Sequence, residues 1–573
     1  MNERTKIGID VLKAAAVVGV SGDLLLRQVP WGLNTFLFVT LFVAAFLLLM
    51  RRHRPEFLTK TNIALAAAMT FFASMFAIRS SEELLVFDTL AIIAIMGVLV
   101  LSSVEIRAPI AGAFHYIAGL AWAGLVSVFG SFVLLGSDID WKSMPGNRLS
   151  RNVFSVLRGI AIALPLVLIF GGLFVAADTV FEGWVNRAIN FDVDILISHL
   201  VVTSGLAWLA AGYFRGVITT PFAAAANAGT ETAVSESKDE GDEPCTLPGN
   251  ASILDYINIS DDGTRKKKAE APETASPSAG SRLRNLQDLD PSRLPSVFTL
   301  GTVETVIVLG VLDLLFLVFV IAQIPYLFGG FEFVQNTPGF GMAEYARRGF
   351  GELVAVSFLV LPVLLLSHWL LRGDGAKTER IYKVLAGIQI GLLFVIMASA
   401  VQRLLLLTGE YGYGLTTTRF YPMVLMVWLA VVFVWFAATV LRGARKHFAW
   451  GALWAAIAIL GTVNLLDPDA FIARTNIALM HQGREFDAAY NTIFLSTDAV
   501  PDLLAAIPSM PPDAQCRAKF ELHVKYWMLG TQGGFWRLNL SRRTALSLLR
   551  ANDPMLHERE GCPQWMQLPP EEK

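Results

Sequence analysis

The run TLGTVETVIVLGVLDLLFLVFVIAQIPYLF, from Thr299 to Phe328, decides the fold class. It holds 30 residues and would be roughly 45 Å long as a helix, enough to cross the roughly 30 Å hydrocarbon core of a bilayer with some tilt. Asp313 then falls near mid-membrane, where an unpaired charge costs about 3 kcal/mol or more, so something must compensate it. A glycine-rich segment follows (FGGFEFVQNTPGFG), then AEYARRGFGEL, which spaces Glu344, Arg348 and Glu352 four residues apart on one helical face. The next apolar run, Leu353 to Leu371, begins directly after that charged stripe.

Working outward, the composition generalises this reading. The chain is 54% hydrophobic and only 16% charged, against about 25% charged for a soluble domain, which marks an integral membrane protein. Apolar runs near 20 residues recur, while the ten-residue alternation of a barrel is absent, so the spans are helices. The expected fold is all-α: a polytopic helical bundle of about 11 to 12 spans with a small helical C-terminal extramembrane domain. A net charge of -2 and no basic tract interleaved with aromatics give nucleic-acid binding no support. The first run, Ile7 to Leu26, carries Asp10 and Lys13 at a spacing that permits pairing, which points to a retained helix and not a cleaved signal.

Twelve candidate spans are expected: Ile7–Leu26, Trp31–Met50, Asn62–Ile78, Leu84–Ser103, Ile110–Leu135, Val153–Ala177 and Val193–Tyr213, then Thr299–Leu327, Leu353–Leu371, Ile381–Leu407, Tyr421–Leu441 and Phe448–Leu466. They divide the chain into N-terminal membrane helices (1–218), a polar, apolar-poor linker (219–298), C-terminal membrane helices (299–466) and an all-helical extramembrane domain with a tail (467–573). Asp467 before Pro468 has the pattern of a helix cap opening that last domain.

Lysine and arginine in the short loops give an orientation. Arg51, Arg52 and Arg54 place the second loop and the N-terminus in the cytoplasm, while Arg372, Lys377, Arg380, Lys383, Arg442, Arg445 and Lys446 place the linker inside and the C-terminal domain outside. Five crossings between Arg54 and the linker would leave the linker on the wrong side. Either one segment between Asn62 and Tyr213 does not cross simply or one of the charge signals misleads; Lys142, Arg148, Arg151 and Arg158, which also prefer the inside, point to a segment within Asn62–Leu135. With the C-terminal domain in an oxidising compartment, Cys516 and Cys562 are candidates for a disulfide, although chance placement explains them equally well.

The ordered set IAQIPYLFGG, AEYARRGFGEL, YGYGLTTTRFY, LLDPDAFIARTNIAL and LSTDAVPDL resembles the domain-of-unknown-function 4173 family of polytopic bacterial membrane proteins. The resemblance extends more loosely to SGDLLL and FGGLFVAADTVFEGWV in the first half. It implies a multi-pass bacterial inner-membrane protein of unassigned activity and carries no catalytic residues over; the loop charges, taken with it, place the N-terminus and linker in the cytoplasm and the C-terminal domain in the periplasm.

The candidate substrate or ion pathway is Asp313, Arg403, Glu344, Arg348, Glu352 and Arg419. Asp313 pairs with Arg403 or stands as a hydrogen-bonded structural acid, and proton coupling there requires that burial disfavour the charged form. The bland readings are that Arg403 snorkels, that the Glu344 stripe is a solvated face, and that Arg419, after its glycine-rich loop, is structural. Asp88 and His115 are lone polar residues within their spans, and Asp23 and Asp178 end apolar runs. No HExxH, GxSxG, phosphate-binding loop or cysteine-histidine metal spacing occurs, so no cofactor or metal is expected. Three functions compete: transport through buried polar groups, an envelope sensor or scaffold that binds a protein partner through the C-terminal domain, and an enzyme acting on a lipid-linked substrate. The lipid bilayer is the one partner common to all.

Overall fold

The computed structural model describes residues 3–139 except 105, then 193–218, 302–328, 350–371, 376–408, 414–530 and most of 534–566. The linker, Cys245, Asp178, the Val153–Ala177 run, Glu344 and Arg348 lie outside the described residues, as do the side chains of Glu352 and Arg403. The helices are α1 Glu3–Leu26, α2 Leu33–His53, α3 Lys60–Ile78, α4 Glu82–Leu101, α5 Ala113–Val133, α6 Val193–Ile218, α7 Thr302–Phe328, α8 Phe350–Leu370, α9 Ala376–Thr408, α10 Thr417–Thr439 and α11 Phe448–Leu466. Beyond the bundle come α12 Pro468–His481, α13 Val500–Ala506, α14 Pro512–Gly530, α15 Leu540–Ala551 and α16 Asp553–His557. No strand occurs among the described residues.

Among the described residues, nine helices are long and apolar enough to cross a membrane: α2 to α7 and α9 to α11. Two expected spans fall outside that set. The apolar part of α8, Leu353–Trp369, is shorter, and α1 carries Asp10, Lys13 and Asp23 along its length. The outer face of α7 explains why the solvent around it is lipid. Ile307, Val311, Leu314, Leu315 and Val318 are each more than half exposed, while Leu309 and Phe316 pack inward. An apolar surface of that extent is stable only against hydrocarbon.

Side-chain contacts sort the helix ends into two faces. At the first, Arg52 and His53 at the end of α2 both reach Asp10 of α1 at 3.2 Å, and Arg54 donates to the carbonyl of Val217 at the end of α6 (2.9 Å). Lys13 adds a longer pair to Asp10 at 3.6 Å. At the second, Leu33 at the start of α2 donates its backbone N–H to the carbonyl of Leu538, just before α15 (2.8 Å). Buried Asn34 ties α1 to α2 there, donating to the carbonyls of Leu25 (3.0 Å) and Gln28 (2.6 Å) while accepting from the Gly32 and Thr35 backbone.

Helix α5 begins and ends at the first face. Ser102, just before it, bonds Asn62 at the start of α3 (3.3 Å), and Pro109 lies 3.2 Å from His447 at the start of α11. The segment Leu134–Asp138 that continues it ends with Asp138 paired to Arg215 of α6 at 2.5 Å, two residues from Val217. Although long and apolar enough to span, α5 thus lies inclined across the first-face halves of α4 and α6 and returns the chain to the face it left. Loop charges counted along the sequence cannot show this, because a slanted and an upright apolar helix have the same composition.

Glycines set the closeness of that packing. A Cβ on Gly212 would lie 2.3 Å from the carbonyl oxygen of Ser127 in α5, and one on Gly19 would lie 2.5 Å from that of Thr203 in α6. Helix α6 is therefore wedged between α1 and α5 with backbone on backbone, the small-residue mode of membrane packing. A second apolar core joins α7 to α11, and a third fills the C-terminal domain around Ile472, Val500, Leu503, Leu522 and Leu549. A disulfide between Cys516 and Cys562, with Cα atoms 5.7 Å apart, links α14 to the segment after α16.

Candidate functional site

The C-terminal domain meets the bundle through a polar joint built at the second-face ends of α3, α4 and α11. Helix α11 ends at Asp467, whose φ of 61° is the left-handed turn that swings the chain from the membrane into α12. Asp467 also caps α12 by accepting from the Ala470 N–H (3.4 Å), with Pro468 at the first helical position, where no N–H is needed. Arg79, just past α3, donates to the Asn464 carbonyl (2.9 Å) and pairs with the Asp467 carboxylate. Beside them Ser80 donates its backbone N–H to Asp498 (2.8 Å), and its hydroxyl joins those of Thr497 (2.7 Å) and Ser541 (3.1 Å). Asn539 closes the joint, donating to the carbonyls of Phe76 (2.8 Å) and Arg79 (2.7 Å) while it caps α15.

Three carboxylates converge here. Asp469, 1% exposed, accepts from the Ser496 N–H through Oδ2 (3.0 Å), and its buried Oδ1 has no hydrogen-bond partner among the described residues. Burial pushes Asp467 up to about 6; the nearby Asp498 charge adds to the rise and Arg79 opposes it. Burial likewise raises Asp469 against the hydrogen bonds from Ser496, and it lowers Lys525 to about 8 against the attraction of Asp469 and Glu521. Lys525 is fastened to the Leu495 carbonyl at 2.7 Å.

The sign of the resulting pH dependence follows from linkage. Folded Asp467 binds its proton up to about 6, whereas the unfolded group releases it near the model-peptide 3.8, so the native joint holds the extra proton between those values. Acidification from pH 7 toward 4 is expected to stabilise the joint, and the stabilisation is lost as pH rises through about 6. In Asp467→Asn the difference in melting temperature between pH 7 and pH 5 should shrink, as read by thermal denaturation in detergent. An unchanged difference would place the titrating group elsewhere.

Directly beneath the joint, Asp88 of α4 is fully buried. Its Oδ1 accepts from the Asn464 amide of α11 at 2.8 Å, while its Oδ2 and the Asn464 Oδ1 have no hydrogen-bond partner among the described residues. Asn464 also donates to Leu460 at 3.0 Å, so its amide hydrogens are used and only its oxygen is left over.

Asp313 occupies a comparable position in the second helix group. It falls on the inward stripe Leu309, Asp313, Phe316, Val320, is 7% exposed, and neither carboxylate oxygen has a hydrogen-bond partner among the described residues. Thr302 and Thr378 share a hydrogen bond of 2.7 Å at the start of α7 and α9, which sets the two helices side by side and parallel. Gln389, buried with its Oε1 unpartnered among the described residues, is as far along α9 from Thr378 as Asp313 is along α7 from Thr302. Acid and amide therefore come to the same depth. Arg403 stands roughly 21 Å further along α9, and its side chain lies outside the described residues.

The remaining sequence candidates scatter. Arg419 folds back onto the carbonyl of Gly414, whose own φ of 68° and close fit against Asn476 make the loop before α10 a structural element. Asp23 is held by Arg27 at 2.5 Å and by His199, joining α1 to α6, and shares no described contact with Arg419. Glu304 is exposed in the first turn of α7. His115 is buried and neither ring nitrogen has a side-chain partner among the described residues. The Asp88–Asn464 pair and the Asp467, Asp469, Asp498 cluster escaped sequence reasoning. Their only sequence signal is the Asp467-x-Asp469 pair set directly after an apolar run, within one of the motifs quoted above.

The family that matches the chain is Domain of unknown function (DUF4153), over residues 66–237 and 266–506, more than half of the chain. This corrects the resemblance to the domain-of-unknown-function 4173 family, a different family: the short motifs that carried the resemblance are each weak, whereas the match spans most of the chain. No curated protein and no solved structure matches the chain.

Proposed function

We propose a proton-linked transport activity for this chain, which belongs to the DUF4153 family and is an integral membrane protein. The observation that supports this reading is that two membrane-embedded carboxylates, in separate helix groups, have no cation paired with them among the described residues, and a neutral amide stands against one and level with the other. Asp88 faces Asn464, and Asp313 comes level with Gln389. In each pair an acid oxygen and an amide oxygen, both acceptors, are buried without a donor among the described residues. Leaving such groups unsatisfied costs about 1–3 kcal/mol each, more if the acid is charged. A proton on the acid supplies the missing donor: on Asp88 Oδ2 it would answer the free oxygen of Asn464, giving a two-bond acid–amide ring. Binding and releasing that proton switches the pair between a closed and an open form, which is what coupling to a proton gradient needs.

In this reading the face bearing Arg51, Arg52, Arg54, Arg442, Arg445 and Lys446 is cytoplasmic and the disulfide-bonded domain lies in the periplasm of a bacterial cell. Reconstitution into proteoliposomes with an internal pH-sensitive dye tests the proposal. Under an imposed pH gradient the wild type should carry protons above empty vesicles. Asp88→Asn and Asp313→Asn, which keep volume and hydrogen-bonding shape, should lower that flux by about 10-fold or more while eluting as folded protein, as loss of a positioned proton-transfer group does. No flux from the wild type, or full flux from both variants, would refute it.

A further inference from the structure

We propose that His523, Asp553 and His557 form a site for a divalent transition-metal ion, zinc foremost, on the C-terminal domain. The three side chains offer ligand atoms that all lie within 4.8 Å of one another. Asp553 Oδ1 is 3.3 Å from His557 Nδ1 and 3.7 Å from His523 Nδ1. With metal–nitrogen and metal–oxygen bonds of about 2.0–2.1 Å, neighbouring ligands of a tetrahedral ion stand about 3.3 Å apart, so the closer histidine–aspartate pair already has that spacing, the other needs to close by a few tenths of an ångström, and the two imidazole nitrogens, within 4.8 Å of each other, need to close by at most about 1.5 Å. Asp553 Oδ1 is buried and accepts no hydrogen bond among the described residues, although two imidazoles face it.

The donor set selects the ion. Two imidazoles and one carboxylate suit zinc, copper or nickel, whereas calcium and magnesium take all-oxygen shells. Three protein ligands leave a fourth position open, and the exposure of the site places it toward solvent: the His523 side chain is 12% exposed, those of Asp553 and His557 37% and 41%. An ion can enter from that side with a water as its fourth ligand.

The fold pre-organises the site. His523 lies two helical turns after Cys516 on the same face of α14, while Asp553 and His557 are one turn apart in α16 and Cys562 follows five residues later. The Cys516–Cys562 disulfide therefore pins together the two segments that carry the ligands. The imidazoles meet edge to face with centroids 4.5 Å apart, and ligation through His557 Nδ1 replaces the 2.9 Å contact of that atom with the Asp553 carbonyl oxygen. The sequence search for metal spacing missed this set because His523 and Asp553 are far apart along the chain and meet only through helix packing.

The test uses the full-length protein in detergent, stripped with a chelator and titrated with zinc by calorimetry, with cobalt substituted for zinc to report imidazole ligation in the visible spectrum. One zinc per chain is expected. His557→Gln should weaken binding by about 10-fold or more, and the His523→Gln/His557→Gln pair should abolish it together with the cobalt spectrum. His481→Gln, an exposed histidine elsewhere on the domain, should change nothing. Retention of the disulfide in each variant, seen as unchanged mobility on a non-reducing gel, shows that the domain is still folded. Absence of zinc binding in the wild type, binding that survives the double variant, or equal competition by calcium would each overturn the proposal, leaving the three residues as an ion-paired surface cluster.

Discussion

Leucine in place of Gly212 is expected to unfold the N-terminal helix group at temperatures where the wild type is intact. A Cβ at this position would meet the Ser127 carbonyl oxygen at 2.3 Å and that of Val126 at 2.5 Å, both backbone atoms of α5 that no rotamer change can move. From the other side Gly130 sets its own Cα hydrogens against the Gly212 carbonyl, where a Cβ would come within 2.8 Å. The helices must then separate, which also breaks the Ser131 hydroxyl bond to the Trp208 carbonyl (2.6 Å) and the Trp208 indole bond to the Val128 carbonyl (2.8 Å). Overpacking by itself costs about 1–3 kcal/mol, and separating two backbones in contact should exceed about 3 kcal/mol. Gly124→Leu and Gly205→Leu are the controls, since a Cβ at either meets nothing within 4 Å among the described residues. Thermal stability in detergent, followed by size-exclusion chromatography, separates the cases. Equal melting of Gly212→Leu and the controls would mean that α5 and α6 do not pack this closely.

Cys516→Ser should destabilise the C-terminal domain by about 4 kcal/mol, the chain-entropy value for a bridge that closes a loop with a sequence separation of 46. The reason lies mainly in the unfolded chain, which gains freedom when the loop opens. The folded domain keeps its core around Leu503, Leu522 and Leu549 and its hydrogen bonds to the ends of α2 and α3. The loss should appear as cleavage between residues 512 and 558 by protease at a denaturant concentration that leaves the wild type uncut, with the membrane helices unaffected. A domain equally resistant with and without the bridge would show that docking on the bundle, and not the cross-link, governs its stability. The same substitution should weaken zinc binding, because it frees the segment carrying Asp553 and His557.

The candidate site was only partly legible. Asp313 stands out in the sequence because a charged residue inside a 30-residue apolar run is expensive wherever it points. That Gln389 comes to the same depth was not readable, because the register of α7 against α9 rests on the hydrogen bond between Thr302 and Thr378. Asp88 reads in the sequence only as a lone polar residue within its span, and nothing local says that Asn464, nearly four hundred residues later, covers it. Arg419 stands in the sequence as a cation after a glycine-rich loop, and its bond to the carbonyl of the left-handed Gly414 was not legible there, because it depends on how that loop turns back.

By itself the sequence determined that the chain is helical and membrane-embedded, that a polar segment divides its apolar helices, and that a water-compatible helical domain follows Asp467. These are consequences of hydropathy, helical period and capping, each a property of neighbours in the chain. Only the tertiary structure decided which apolar helix lies slanted, which acid faces which amide, and that two histidines and an aspartate converge beside a disulfide. Those depend on register and crossing angle between helices far apart in sequence, and a residue's composition and local spacing carry no record of what packs against it.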